Sequence, residues 1–307
     1  MARIYDLVMT HKLDADDFFI HRVQQHCAEA GLNFFLIEPL WVEAFLERFQ
    51  RGEIWARVLL NMHSEHHQPE DIYHRLVCLV AARDTQVIDP PEVALPAFDK
   101  ARLHSQLVAA GVTVPETVVV PRADISTFQL SEPQRAALGS PFVIKPAMGY
   151  GRRGVVLDAT GETDLARSVA SWSDTHYLLQ GRVTPRLLHG EPAYFRAYFV
   201  FGSVWCCWWN CFTDRYRLLT AKEREQFSLE PLEEITQQIA ALTGMKFFSS
   251  EITQLESGEF VVIDYVNDQC HLLSQSSNPQ MGVPDELVAA IARRLVGGAR
   301  ELIAARK

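Results

Sequence analysis

The first ninety residues alternate apolar runs with amphipathic stretches, and this alternation narrows the fold more than any other feature of the chain. "RIYDLVMT" (3–10), "LNFFLIEP" (32–39), "ARVLLNMH" (56–63) and "TQVIDPP" (85–91) read as strands. Residues 16–30, "WVEAFLERFQRG" (41–52) and residues 72–83 read as helices, the first two stopped by Gly31 and Gly52. Strands separated by helices can rejoin one sheet only through crossovers, so the segment predicts an open parallel sheet with helices packed on it. Such sheets bind ligands beyond the carboxyl ends of their strands. No G-x-G-x-x-G follows the first strand, so a dinucleotide domain is not supported.

The texture then changes. A proline-rich link opens residues 89–121, followed by a helix from about Asp99 to Ala110 and a strand ending at Pro121. Residues 140–157 read as two strands joined by a glycine loop, and "HYLLQGRV" (176–183) as a further strand. A helix is expected over Pro231–Thr243, and "FFSSEITQL" and "EFVVIDYVN" form a hairpin turning at Ser257-Gly258. A last helix runs from about Asp285 to Ala305. The apolar stretch from Ala193 to Phe212 falls short of a span of about 20 apolar residues, breaks at Gly202-Ser203 and sits beside Arg196, so we read it as a hairpin.

At 307 residues and 48% hydrophobic, the chain can fill two or three subdomains. Its formal charge of −9 argues against a general nucleic-acid binder, although Arg152-Arg153 is a local basic cluster. "MARIYDLVMTHKLDADDFF" lacks the apolar core and cleavage site of a signal peptide, so the expectation is a soluble, cytoplasmic protein. The six cysteines show no zinc-knuckle or disulfide spacing; Cys206, Cys207 and Cys211 read as small hydrophobes. Trp205, Trp208 and Trp209, at strand spacing, read as sheet core rather than a stacking platform for bases. His63, His66, His67 and His74 cluster after the third strand; loop histidines of this kind are usually solvated, and substrate recognition is a fairer reading than zinc. His271 either faces a substrate or is a plain loop histidine.

Three places carry chemistry. "FVIKPAMGYGRRGVVL" (142–157) ends an apolar strand on Lys145 and then runs through Gly149, Gly151 and Gly154. Exposed backbone N–H groups over a lysine suit a phosphate, but no Walker signature is present, and the loop by itself leaves a plain turn equally open. Asp264 and Asn267 end a strongly apolar strand, with Glu251 one strand earlier; together they offer oxygen ligands of the kind Mg²⁺ accepts, whereas either acid alone reads as solvated or turn-forming. Lys100 in "FDKARLHSQL" reads by itself as a solvated helix face.

These pieces, in this order and over essentially the whole chain, resemble the ATP-grasp superfamily, nearest in texture to the ribosomal-protein glutamate ligase and glutathione synthetase branch. The resemblance implies an N-terminal open parallel-sheet domain (1–95), then a two-lobed α+β body whose small lobe (96–183) carries the lid loop and adenine hinge and whose C-terminal lobe (184–307) carries the metal site. It implies ATP with Mg²⁺, two ions, as cofactors. Lys100 and Lys145 correspond to the lysines that hold ATP phosphates, and Gly149, Gly151, Arg152 and Gly154 to the lid loop. Gln180, Gly181, Arg182 and Val183 correspond to the hinge. Arg196 and Arg217 correspond to phosphate or acylphosphate contacts, and Glu251, Asp264 and Asn267 to Mg²⁺ ligands. Two departures stand out. The hinge reads Gln180-Gly181 rather than glutamine-glutamate, which leaves Glu191 as the ribose-binding acid. Asp264 and Asn267 are three apart rather than two, with Asp268 in reserve. The implied activity is ADP-forming ligation of a carboxylate to an amine through an acylphosphate, on a small molecule or peptide, without nucleic acid or membrane partners. A homodimer is also implied. A phosphoryl-transferring kinase and a catalytically degenerate nucleotide-binding scaffold are the alternatives.

Overall fold

In the computed structural model, which describes residues 2–11, 17–63 and 68–306, the apolar runs at the N-terminus become β1 (Arg3–Thr10), β2 (Phe34–Ile37), β3 (Ile54–Leu60) and β4 (Gln86–Ile88). All pair in parallel, in the order β2-β1-β3-β4, with Leu7 opposite both Phe34 and Val58. The crossovers are α1 (Asp17–Glu29), α2 (Val42–Gln50) and α3 (Ile72–Ala81). The Asp71 side chain accepts from the N–H groups of Tyr73 and His74, which fixes where α3 starts. Phe45, Phe49, Leu59, Leu76 and Val80 bury the interface between sheet and helices.

The proline-rich stretch is not a link. Residues 91–98 form a helix, α4 (Pro91–Phe98), with Pro96 inside it. Val93 and Ala94 donate to the Pro90 carbonyl, so Pro91 sits where its missing N–H costs nothing. The chain goes on through α5 (Lys100–Ala109), capped by the Asp99 side chain, to β5 (Thr117–Pro121), α6 (Glu132–Leu138), β6 (Phe142–Pro146), β7 (Val156–Ala159), α7 (Leu165–Ser171) and β8 (His176–Gln180). A short pair, β9 (Leu187–Leu188) and β10 (Glu191–Pro192), precedes β11 (Tyr194–Val200), β12 (Ser203–Asn210) and β13 (Arg215–Leu218). Then come α8 (Ala221–Gln226), α9 (Pro231–Thr243), β14 (Phe247–Gln254), β15 (Phe260–Asn267) and α10 (Asp285–Ala304). Gly244 ends α9 in the left-handed region (φ +73°), a conformation that costs other residues more than glycine. Among the described residues no helix is long and apolar enough to cross a membrane.

The chain divides into two compact units. The first comprises residues 1–95, 195–249 and 267–307 and holds the parallel sheet, with α10 packed on α1. In it β11, β12 and β13 are antiparallel neighbours that set Arg196 opposite Cys207 and Trp208 opposite Arg217. The second comprises residues 96–194 and 250–266. Its four-stranded antiparallel sheet runs β5-β8-β6-β7, and its core includes Val120, Phe142, Ile144, Leu165, Tyr177 and Leu179.

A buried acid helps hold the first unit together. Asp89, 3% exposed, accepts from the backbone N–H groups of Lys246 (2.9 and 3.0 Å) and Phe247 (2.9 Å). Burial raises its carboxyl to about 7, with Asp268 pushing the same way and the two N–H groups and Lys246 opposing. The folded state therefore holds a proton that the unfolded state has released between the ordinary carboxylate range and about pH 7. The stability from that proton is complete in acid and is lost as pH rises through about 7. Urea unfolding should show stability falling by a few kcal/mol, on the order of the raised pKa, from pH 5 to pH 8. Asp89→Asn should flatten that slope; an unchanged slope would show that Asp89 is not its source.

Candidate functional site

In the second unit the sequence places two lysines where both are enclosed. Along β6 buried Phe142, Ile144 and Pro146 alternate with Val143 and Lys145, so Lys145 points to the other face of the strand. Its Nζ donates to the Ile263 carbonyl on β15 at 2.8 Å. Lys100, 8% exposed, is the first residue of α5. Its Nζ donates to the Gly149 carbonyl at 2.9 Å, lies 3.8 Å from Asp264 Oδ1, and stands over the Phe98 ring at 5.1 Å. Burial lowers the pKa of Lys145; the nearby carboxylates of Asp264 and Glu251 oppose that, and the charge of Lys100 adds to it. Lys100, Lys145, Glu251 and Asp264 thus form one electrostatic cluster. Each ammonium carries three donors, more than the backbone carbonyl it is bonded to requires, so oxygens of an incoming anion can be taken up without dismantling the site. Among the described residues no group of three or more His, Cys, Asp or Glu side chains forms a ready-made metal cage. Two carboxylates nevertheless suit Mg²⁺, which keeps waters and substrate phosphates as its other ligands.

The glycine loop begins at this cluster. Asp174 accepts from Met148 N–H at 2.6 Å while Lys100 holds the Gly149 carbonyl. Gly151 and Arg152 follow with φ of +57° and +59°. Gly154 has φ +72°, and a Cβ there would lie 2.6 Å from both Pro146 and the Trp172 side chain, so no larger residue fits without displacing them. The Arg153 guanidinium covers the rings of Tyr150 (5.3 Å) and Trp172 (5.8 Å).

The segment expected to serve as the hinge leaves β8 at Gln180. Gly181 N–H is used by the Glu116 carbonyl at 2.8 Å, and its Cα packs against the end of α6, where a Cβ would sit 3.3 Å from the Leu138 carbonyl. That crowding accounts for a glycine at this position. Among the described residues the backbone N–H groups of Arg182 and Val183 have no protein acceptor, which leaves them open to a ligand. Glu191 is exposed on β10, where it pairs with Leu188.

Two residues that the sequence reading passed over complete this unit. Gln180 Nε2 donates to Tyr265 Oη at 2.8 Å and to Thr117 Oγ1 at 3.1 Å. Tyr265 Oη and His104 Nδ1 are 2.8 Å apart. Burial lowers the pKa of His104, and the charge of Glu116 opposes that. His104 lies one helical turn after Lys100 and Tyr265 adjoins Asp264, but nothing in that spacing pairs two residues 161 apart.

The remaining site residues lie in the first unit. Arg196, 7% exposed on β11, stands over the Trp209 ring at 4.7 Å, and its Nη1 donates to Ser249 Oγ at 3.4 Å. Asn267 Nδ2 donates to the Ser249 carbonyl at 3.4 Å, so both converge on one serine. Arg217 is exposed, stacks on Trp208 at 4.8 Å and donates to Glu223 Oε1 at 2.7 Å. Trp208 and Trp209 are buried, as expected of sheet residues. Cys206 and Cys207 are buried too, and burial raises the Cys206 thiol to about 12 and that of Cys207 higher still, which suits inert hydrophobes. Of the histidine cluster, His66 and His67 lie outside the described residues; His63 packs against the Tyr73 ring at 4.5 Å, and His74 Nε2 lies 3.4 Å from Cys78 Sγ.

No protein-family model matches the chain, and no curated protein does. Solved structures do. D-alanine–D-alanine ligase from Bacillus anthracis, complexed with ATP, has a TM-score of 0.67 over 99% of this chain and 98% of that one, at 11% identity. A RimK-domain ATP-grasp protein from Sphaerobacter thermophilus gives 0.65 over 96% and 98%, at 18% identity. The ATP-grasp ligase PsnB, complexed with minimal precursor, Mg and ADP, gives 0.59 over 97% and 98%, at 14% identity. The chain has the ATP-grasp fold.

Tyr265→Phe tests the Gln180–Tyr265–His104 chain. It leaves the buried Gln180 amide and the half-buried His104 ring each short of a partner and should cost about 1–3 kcal/mol in urea unfolding. His104→Ala combined with Tyr265→Phe should cost less than the sum of the two single changes; simple additivity would show that the two side chains are not coupled.

Proposed function

We propose that the protein is an ATP- and Mg²⁺-dependent carboxylate–amine ligase that forms ADP and acts through an acylphosphate. One observation carries this reading: two enclosed lysines and two carboxylates gather at the base of a glycine loop, in a fold shared with ATP-grasp ligases.

In this reading Lys100 and Lys145 bind the phosphates of ATP, and residues 149–154, Arg152 included, close over them. The free N–H groups of Arg182 and Val183 read the adenine edge, beside Gln180 and Gly181, and Glu191 takes the ribose. Glu251, Asp264 and Asn267 would hold the metal. Mg²⁺, two ions in this proposal, supplies charge neutralisation on the phosphates when bound. Arg196 and Arg217 neutralise phosphate or acylphosphate oxygens; the stacking of Arg196 on Trp209 and its bond to Ser249 fix its direction beforehand. The protein's contribution is to position and to offset charge, as in phosphoryl transfer generally. Residues 1–95, 96–183 and 184–307 would serve as preceding domain, small lobe and C-terminal lobe. We propose cytoplasmic action on a small-molecule or peptide carboxylate and an amine, by a homodimer, without nucleic acid.

The test is ADP release with Mg·ATP against pooled amino acids, short peptides and small dicarboxylates, with Mg·ATP binding measured on the same samples. Lys145→Met should weaken Mg·ATP binding about 10- to 100-fold, the loss of one charged hydrogen bond, and abolish turnover. Turnover with an acceptor but no amine would replace the ligase with a kinase. Unaltered Mg·ATP binding by the variant would remove Lys145 from the site.

A further inference from the structure

The segment after β15 carries a histidine held in a way that structural histidines do not require. His271 Nε2 lies 2.9 Å from the Met281 carbonyl oxygen. A carbonyl only accepts, so Nε2 bears the hydrogen and Nδ1 presents a lone pair. Among the described residues Nδ1 has no hydrogen-bond partner. The ring is otherwise fixed. Its face stacks on Tyr216 of β13, with centroids 5.6 Å apart and planes 18° apart. The His271 carbonyl accepts from the fully buried Tyr198 hydroxyl of β11 at 3.1 Å, and Gln275, further along the segment, donates to the Tyr216 carbonyl at 2.9 Å. A ring immobilised on one face, at one nitrogen and at its own backbone, with the second nitrogen left open, is arranged to accept a proton.

Its surroundings, burial first, keep it unprotonated. Burial lowers the pKa of His271, and the field of Arg196 on β11 lowers it further; the Met281 bond and Asp214, before β13, act the other way. The imidazole is therefore neutral near pH 7. All these groups belong to the first unit, and Arg196 is the arginine assigned above to phosphate or acylphosphate oxygens.

We propose that His271 Nδ1 is the general base that takes the proton from the attacking amine. This rests on the ligase reading and goes beyond it. An amine substrate arrives as an ammonium ion, without the lone pair that attack requires. It gives one proton to Nδ1, and the freed pair forms the C–N bond at the acyl carbon. The C–O bond to the phosphoryl group breaks, and its electron pair leaves with phosphate. The second nitrogen proton departs on the phosphate as hydrogen phosphate, and His271 returns its proton to water. No oxidant or other reactant is needed. General-base assistance of this kind is worth about 10²- to 10⁴-fold.

The first test needs no substrate. Long-range ¹H–¹⁵N spectra of the full chain labelled at histidine, with His271→Gln to assign the signal, should show Nε2 protonated and Nδ1 bare at pH 7. The ring should become charged only below the ordinary histidine range. A hydrogen on Nδ1 at pH 7 would overturn the assignment. The second test separates the base from the ligase. Glutamine can keep the donor to Met281 but has no basic nitrogen. With Mg·ATP and the carboxylate panel, hydroxylamine, largely unprotonated at pH 7, should still be converted to hydroxamate by His271→Gln within a few-fold of wild type. Amide formation with primary amines should fall about 10²- to 10⁴-fold at pH 7 and recover in part by about pH 9, where free amine is populated. Equal loss with both nucleophiles would mean that His271 only shapes the site, and the proposal fails. Absence of carboxylate-dependent ADP release or hydroxamate from wild type would instead sink the ligase reading, and the base assignment with it.

Discussion

An enclosed ammonium group has to be compensated where it stands, and the second unit is organised around that requirement at Lys145. Left alone in a low-dielectric setting, Lys145 would lose its proton or force its strand open. Instead β15 supplies the Ile263 carbonyl, and Asp264 and Glu251 supply opposing charge. Lys100 then faces Asp264 from the start of α5, where its own backbone N–H is bonded to the Ala147 carbonyl at 3.0 Å. The two lysines are held from separate directions, by a strand and by a helix start. Lys145 is held apart from the glycine loop, whereas Lys100 grips the loop's first carbonyl.

The first unit solves a different problem with similar means. Arg196 lies against an aromatic face and donates to a serine. A guanidinium tolerates this because it is weakly hydrated and stacks well, which an ammonium does not. Near it, burial first and the charge of Arg196 second lower the pKa of His271, against the Met281 bond and Asp214.

The alternating texture of residues 3–88 made the parallel sheet legible, because strand and helix periodicities differ and crossovers enforce parallel pairing. The β14–β15 hairpin was legible from its Ser257-Gly258 turn, where Gly258 has φ +87°. Helix α4 was not, because three prolines in residues 90–96 outweigh a helical pattern when propensity is read locally; the first two lie where a helix start accepts them. Helix α6 was missed although Ser131 and Gln134 form a capping box, a short signal without a long amphipathic run behind it. Within the site, charged residues at the ends of apolar strands were conspicuous. His104 and Tyr265 were not, because a hydrogen-bonded pair 161 residues apart leaves no trace in local spacing.

Charge balance within the cluster sets the terms on which it could take a nucleotide. Lys100 and Lys145 bring two positive charges, Glu251 and Asp264 two negative ones, so the four together are close to neutral. A triphosphate approaching this group gains from the lysines what it loses to the carboxylates. Net attraction requires that the carboxylates be neutralised without withdrawing the lysines, and a divalent cation shared between carboxylate and phosphate oxygens does that. Nucleotide and metal would then bind as a pair, each improving the affinity of the other by the same factor, as linkage demands. The buried lysines would keep their backbone partners throughout, because each ammonium has donors left over. The glycine loop's backbone at Gly151, Arg152 and Gly154 has positive φ, and the N–H groups of Gly149, Arg153, Gly154 and Val155 are bonded within the protein.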